Sequence, residues 1–209
     1  MFNIAKYREI QKNIEKLGKK TKIIAVSKNH PAEAIKKAIE DGVRIFGENR
    51  VQEAKKKFSE INNKNLEIHL TGPLQTNKVS EALKIFNVFH TLDRKKLAIE
   101  FNKNHEKLAG KKFFIQINTG KESTKSGVYP ESADEFVNFC KGDLGLNIVG
   151  LMCIPPINES AHDHFQLLKD IATRNNVHEL SIGMSSDYQD AINLGASYIR
   201  IGTAFFGKR

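Results

Sequence analysis

Lys28 stands at the end of an apolar run, Lys22-Ile-Ile-Ala-Val-Ser-Lys28, and Asn-His-Pro follows it directly. A lysine at the exit of a buried strand holds its ammonium where water is scarce. That favours loss of the proton and makes the amine a nucleophile toward aldehydes. Two later segments supply a complementary chemistry. Gly183-Met-Ser-Ser-Asp187 and Gly202-Thr-Ala204 each follow a short apolar run. Glycine lets a backbone amide approach an anion, and serine or threonine adds a hydroxyl donor. Ser185 or Ser186 is also placed to start a helix, whose first amides are unpaired and attract anions. Either segment alone reads equally as a plain turn or N-cap. The pair, set beside Lys28, points to a phosphate site next to an amine.

Arg200 lies between Ile199 and Ile201, and alternation puts it on the same strand face as Gly202. If that face points inward, Arg200 is a buried cation that needs an acceptor, such as a ligand ring nitrogen or a carboxylate. If it points outward, Arg200 is an ordinary surface ion pair. The apolar neighbours on both sides leave both arrangements open.

Other candidates carry less. Thr119-Gly-Lys-Glu122 superficially suggests a nucleotide P-loop but lacks the glycine five residues earlier and the hydroxyl after the lysine. His162 and His164 are two apart and so do not share a helix face, which argues against a metal site. His69 sits inside an apolar run and reads as a core histidine. Cys153 has no evident base beside it.

These residues need a frame that brings distant segments together. Short apolar runs alternate with longer charged segments of helical period. Strands are expected at 22–27, 44–46, 66–71, 87–91, 112–118, 147–152, 179–182 and 198–201. Helices are expected at 4–17, 31–41, 50–61, 76–85, 94–108, 130–141, 159–175 and 186–194. Eight strands alternating with helices, with no break in composition, indicate a single closed (β/α)₈ barrel of TIM type spanning 1–209. The competing arrangement is an open doubly wound sheet. The chain is short for a barrel and stops just past the eighth strand, so the opening helix within residues 1–20 is expected to cover the gap an eighth helix normally fills. Reactive groups in such a barrel collect where strands end, and loops after strands seven and eight recurrently bind phosphate. Lys28, Ser185 and Gly202 all fall at such ends.

Bulk properties narrow the partners. The 209 residues are 40% hydrophobic, enough for a packed core, and 33 Lys and Arg against 24 Asp and Glu give a net charge of +9. That balance suits an anionic partner such as a phosphorylated small molecule. The basic residues are spread along the chain, with Lys55-Lys56-Lys57 the densest run, and no nucleic-acid motif or zinc-finger spacing occurs. No apolar stretch approaches membrane-span length, and the charged N-terminus is not a signal peptide. Two cysteines without a Cys-x-x-Cys pair fit a reducing compartment, so a cytoplasmic protein without nucleic-acid or membrane partners is expected.

Taken in order, Ala25-Val-Ser-Lys28, Gly47-Glu-Asn-Arg-Val-Gln-Glu53, His69-Leu-Thr-Gly-Pro-Leu-Gln-Thr-Asn-Lys78, His90-Thr-Leu-Asp93, Lys125-Ser-Gly127, Gly150-Leu-Met152, Leu180-Ser-Ile-Gly-Met-Ser-Ser-Asp187 and Arg200-Ile-Gly-Thr-Ala-Phe-Phe-Gly207 resemble the pyridoxal phosphate homeostasis protein family, the YggS/PROSC type. The blocks run from about Thr21 to Gly207. The resemblance implies the alanine-racemase-like barrel, a fold-type III PLP barrel without the second β-domain. It implies pyridoxal 5′-phosphate as cofactor, with Lys28 as the Schiff-base lysine. It implies that Met184, Ser185, Gly202 and Thr203 cradle the phosphate, that Arg200 faces the pyridine nitrogen, and that Asn49 and His69 line the pocket. It further implies intracellular vitamin B6 homeostasis rather than dedicated catalysis, with PLP-dependent apo-enzymes as recipients and a monomeric state. An amino-acid racemase of alanine-racemase type is the alternative. Its second acid/base comes from a second domain that this chain is not expected to encode. The sequence departs from the family where Arg50 replaces a frequent tyrosine and Ile68 a frequent tryptophan, and Leu70 and Thr71 replace bulkier residues.

Overall fold

The computed structural model describes residues 2–61 and 65–207. Eight strands run β1 Lys22–Val26, β2 Ile45–Glu48, β3 Glu67–Leu70, β4 Val88–Leu92, β5 Lys112–Gln116, β6 Ile148–Met152, β7 Glu179–Ser181 and β8 Tyr198–Ile201. They pair in parallel, in sequence order, and β1 closes on β8. The expected barrel is therefore the observed one, and the open sheet is excluded. The closing register sets Ile24 opposite Arg200 and Ala25 opposite Ile201. Lys28 and the loop after β8 thus share one end of the seam.

The strands are apolar on both faces because both faces are covered. Ile24, Val26, Val88, Phe114, Met152 and Tyr198 fill the barrel interior. Ile23, Ala25, Phe46, Leu70, Phe89, Phe113, Ile115, Leu151, Ile199 and Ile201 belong to the larger core, between the barrel and its helices.

The helices are α1 Ile4–Lys16, α2 Ala32–Glu40, α3 Val51–Ser59, α4 Val79–Ala82, α5 Lys95–Asn102, α6 Ala133–Asn138, α7 Ala161–Arg174, α8 Tyr188–Leu194 and α9 Thr203–Phe206. Three expected helices are broken. The 76–85 segment opens with a 3-10 turn, Thr76–Lys78, before α4. The 94–108 segment divides where the Asn104 side-chain nitrogen donates back to the Glu100 carbonyl (3.0 Å), and His105–Lys107 continues as 3-10. The 130–141 segment starts as 3-10 at Pro130 and ends as a π-turn over Phe139–Asp143. Helical period alone does not separate these from continuous helices.

The segments just before α1 and after β8 meet. The Asn3 amide donates to the Phe205 carbonyl (2.7 Å), and the Phe2 ring packs on Phe205 and Phe206 at 5.7 and 5.3 Å. Ile10 and Ile14 of α1 are buried, and the Thr21 hydroxyl donates to the Ala196 carbonyl (2.6 Å). The opening helix is thereby tied to the short α9 that follows β8. Among the described residues no helix is long and apolar enough to cross a membrane.

Candidate functional site

A cavity of about 650 Å³ opens at the end of the barrel where the strands finish. Its wall includes Val26, Lys28, Asn49, Thr71, Met184, Ser185, Ser186, Arg200, Gly202 and Thr203. The volume is of the size that encloses a small organic ligand.

Lys28 is half-buried, two residues past the end of β1, in a turn closed by the His30 amide on the Ser27 carbonyl (3.1 Å). Asn29 adopts the left-handed conformation at φ +62°, which asparagine tolerates better than most residues. A buried ion cluster stands behind this turn. Glu48 accepts from the Ser27 hydroxyl (2.6 Å) and from Lys57 Nζ (2.8 Å). Lys57 also donates to the Ser27 carbonyl (2.7 Å) and pairs with Glu53 (2.7 Å), and Glu53 accepts the Asn29 amide. Both neighbours of Lys28 are thus held by one cluster. Burial pushes the Glu48 carboxyl up, against the pull of Lys57 and Ser27. At Glu53 burial also raises, but Lys57 and the Asn29 amide outweigh it and hold the carboxyl below its ordinary value.

Arg200 points into the barrel and is buried. Nη1 donates to the Ser181 carbonyl (2.6 Å) and hydroxyl (2.7 Å), and Nη2 to the Cys153 carbonyl (2.9 Å). Burial lowers its pKa, but a guanidinium stays charged in proteins. It therefore presents to the cavity a cation that only donates.

The loops after β7 and β8 form the opposite wall. α8 begins at Tyr188, two residues later than the sequence suggests, with Asp187 at the N-cap position but making no side-chain bond to the helix. The Asp187 carboxylate accepts the Met184 amide (2.5 Å), and the Tyr188 amide donates to the Met184 carbonyl (2.9 Å). Ser185 and Ser186 therefore lie in an exposed turn ahead of the helix rather than in its first turn, and the Met184 amide is already engaged. Ser185 and Ser186 still line the cavity. At Gly202 an added Cβ would stand 3.2 Å from the Val26 carbonyl oxygen. Glycine there lets the backbone of the β8 loop press close to β1 and beside the cavity. Thr203 follows as the first residue of α9.

Asn49 is on the wall, its side-chain oxygen accepting from the Thr71 hydroxyl (3.0 Å). His69 is not brought there. It is fully buried inside the barrel, with Nδ1 2.7 Å from His90 Nε2 and Nε2 2.6 Å from Glu67, so the expectation that it lines the pocket is corrected. A strand buried on both faces gives no sequence contrast to tell wall from interior. Lys125 lies outside the lining residues and pairs with Glu122 (2.6 Å). Sequence reasoning passed over Thr71, His30 and Ile154 as wall residues. Thr71 was visible as the hydroxyl just past β3. His30 carries no such signal; its ring stacks on Phe206 at 5.1 Å, a contact made by the fold alone. Among the described residues no group of three or more His, Cys, Asp and Glu side chains gathers as a metal site would require.

The model of the alanine racemase N-terminal domain family matches residues 5–209. The chain is 37% identical over 213 residues to the pyridoxal phosphate homeostasis protein of Aquifex aeolicus, covering 96% of this chain and 93% of the relative. The chain belongs to the pyridoxal phosphate homeostasis protein family. The Escherichia coli member is 38% identical over 199 residues, covering 90% of this chain and 85% of its own. Among solved structures, PipY of Synechococcus elongatus with PLP bound superposes with a TM-score of 0.84 at 34% identity, covering 98% of this chain and all of that one. Alanine racemase from Acinetobacter baumannii shares the fold, with a TM-score of 0.73 at 16% identity; 96% of this chain matches 60% of that one. At that distance only the barrel is shared.

Proposed function

We propose that this protein binds pyridoxal 5′-phosphate in the cavity, tethered through Lys28, and serves the handling of that cofactor inside the cell. The observation that carries this reading is the convergence of Lys28, Arg200 and Gly202 on one cavity from opposite sides of the barrel seam. The residues suit the group. A phosphate dianion fits the turn at Ser185 and Ser186 and the close backbone approach at Gly202, with the Thr203 hydroxyl beside it. A pyridine nitrogen fits the donors of Arg200. When bound, the cofactor supplies an aldehyde that condenses with the Lys28 amine, releasing water, to form a Schiff base.

Arg200 also argues for a holder over a catalyst. A permanent cation at the ring nitrogen donates to it and disfavours its protonation, whereas a carboxylate partner would make the ring a strong electron sink. No Asp or Glu lines the cavity among the described residues. Carbanion chemistry is therefore weakly supported, and the proposed role is storage of a reactive aldehyde and delivery to apo-enzymes, by a monomer. The buried free thiols Cys140 and Cys153 suit a reducing compartment, so the proposed location is the cytoplasm.

The test is direct. The purified protein incubated with pyridoxal 5′-phosphate turns yellow, and borohydride followed by peptide mapping places the label on Lys28. A label elsewhere refutes the site. A protein that neither colours nor retains the cofactor refutes the function.

A further inference from the structure

A chain of hydrogen bonds runs down the barrel interior from the cavity floor. Arg200 Nη1 donates to Ser181 Oγ at 2.7 Å. Ser181 Oγ lies 2.8 Å from His90 Nδ1, His90 Nε2 lies 2.7 Å from His69 Nδ1, and His69 Nε2 lies 2.6 Å from Glu67. Only Arg200 belongs to the cavity wall. The other four groups come from β3, β4 and β7, and the cofactor reading does not use them.

The two ends of this chain have fixed polarity. Arg200 can only donate, and an ionised carboxylate can only accept. Glu67 is held ionised, its carboxyl lowered first by the hydrogen bond from His69. His69 Nε2 therefore carries the proton. In a neutral imidazole the other nitrogen then accepts, so His90 Nε2 must donate to it. By the same step His90 Nδ1 accepts, and the Ser181 hydroxyl donates to it. That leaves the lone pairs of Ser181 Oγ for Arg200. Every donor points away from the cavity, and with both rings neutral this is the one arrangement that satisfies each link.

Neutral rings are what the surroundings favour. Both imidazoles are fully buried, and burial is the largest influence lowering each. The charged groups that face them are Glu67, Lys22 and Lys112 on His69 and Arg200 on His90, and only Glu67 favours an added proton. The rings are also wedged. His90 stacks on Phe114 at 4.6 Å and 6°, and His69 meets the Tyr198 ring edge-on at 5.2 Å.

We propose that Ser181, His90 and His69 are positioning residues for Arg200: their relay, anchored on Glu67, makes Ser181 Oγ an acceptor and fixes the guanidinium at the cavity floor. Without it the Ser181 hydroxyl is free to turn its own proton toward Arg200 and oppose it. The consequence for a ring nitrogen rests on the cofactor reading; the relay itself does not.

The first experiment needs no cofactor. Two-bond ¹H–¹⁵N correlation spectra of the histidine-labelled full chain at pH 7 are expected to show His69 and His90 both neutral and both protonated at Nε2. An Nδ1–H tautomer or an imidazolium at either ring overturns the relay. In the same protein, separate slowly exchanging Arg200 Nη signals are expected, and Ser181→Ala shifts the Nη1 signal and speeds its exchange while Nη2, on the Cys153 carbonyl, is little changed; an unchanged Nη1 signal also overturns it. The second experiment adds pyridoxal 5′-phosphate. His90→Leu is expected to weaken its binding about tenfold, as loss of a hydrogen bond to a charged group does, and to shift the bound absorption band. His90→Asn, whose side-chain oxygen can replace Nδ1 as acceptor for Ser181, restores both. Equal behaviour of the two variants overturns the positioning role. If the unmodified protein binds no cofactor, the functional reading fails while the tautomer result still decides the relay.

Discussion

Lys57 reaches from α3 to within 2.7 Å of the carbonyl oxygen of Ser27, the residue immediately before Lys28. It is a buried lysine spent on the backbone of another lysine's turn. Its partners Glu48 and Glu53 hold the Ser27 hydroxyl and the Asn29 amide, so the turn is gripped on both sides. Lys57→Met leaves Glu48 fully buried without its cation. Breaking a buried pair in this way costs about 3–5 kcal/mol. Urea unfolding is expected to show that loss, and the double variant Lys57→Met with Glu48→Leu to recover part of it, because both charges are then gone. A Lys57→Met variant as stable as the unmodified protein would refute the clamp.

Stability is expected to depend on pH through the interior histidines. The folded pKa of His90 lies well below the ordinary value of 6.5, chiefly from burial, and a proton on His69 or the charge of Arg200 pushes it further the same way. The unfolded chain then binds the proton more readily than the folded one. The His90 contribution is therefore whole above about pH 6.5 and is lost as pH falls through that value toward the folded pKa. His69 acts with the same sign. The slope approaches about 1.4 kcal/mol per pH unit for each histidine. Urea unfolding at pH 7.5, 6.5 and 5.5 reads it, and His90→Gln should flatten the fall. A stability that does not change between pH 7.5 and 5.5 would show that these rings are not held neutral.

Of the described glycines, Gly150 in β6 leaves the least room for a side chain. A Cβ there would lie 1.9 Å from the Glu179 carbonyl oxygen and 2.8 Å from Phe114. The first is a neighbouring strand's backbone and cannot rotate away. Gly150→Ala is expected to cost about 3 kcal/mol or more, at the upper end of overpacking losses. Thermal unfolding checks this; an unchanged midpoint would mean that β6 and β7 pair less closely than described. Because Phe114 is also the ring on which His90 stacks, the histidine signals should shift in the same variant.

How much of this was legible in the sequence follows from where contrast exists. All eight strands were readable, since Ile-Ile-Ala-Val and Phe-Phe-Ile-Gln are apolar runs too short for helices and bounded by turns. The same double-sided burial hid the facing of Arg200. Ile199 and Ile201 are buried on one face and Tyr198, on the face of Arg200, is buried on the other, so neither side of the strand looked like solvent. The residues alone read His69 as a core histidine, which it is; only the family resemblance put it on the pocket wall. Its partner His90 lies 21 positions away and Ser181, which bonds His90, a further 91, so no local pattern links them. The Lys57 clamp was hidden inside a run of three lysines that reads as a solvated face; only the tertiary fold turns one of the three inward. Lys28, Ser185 and Gly202 were legible because barrels concentrate chemistry at strand ends whatever the interior holds.

Arg200→Glu tests whether the cation sets the character of the site. The new carboxylate would face the Ser181 and Cys153 carbonyls that Arg200 now satisfies, so its own pKa rises and the variant loses stability. Burying a group among unpaired acceptors costs several kcal/mol, and unfolding must be measured first to find conditions where the variant is folded. Under those conditions the ring nitrogen would meet an acidic partner instead of a donor-only cation. Protonation of the ring, and with it electron withdrawal from the reacting carbon, is then favoured. The bound absorption band is expected to shift, and slow transamination or racemisation of added amino acids to rise above that of the unmodified protein. Arg200→Lys, which keeps the charge but not the fork that spans Ser181 and Cys153, should weaken cofactor retention without any gain in turnover. If Arg200→Glu folds, binds the cofactor and shows neither the spectral change nor the added turnover, the guanidinium does not govern the ring, and the restraint on catalysis must come from the geometry around Lys28.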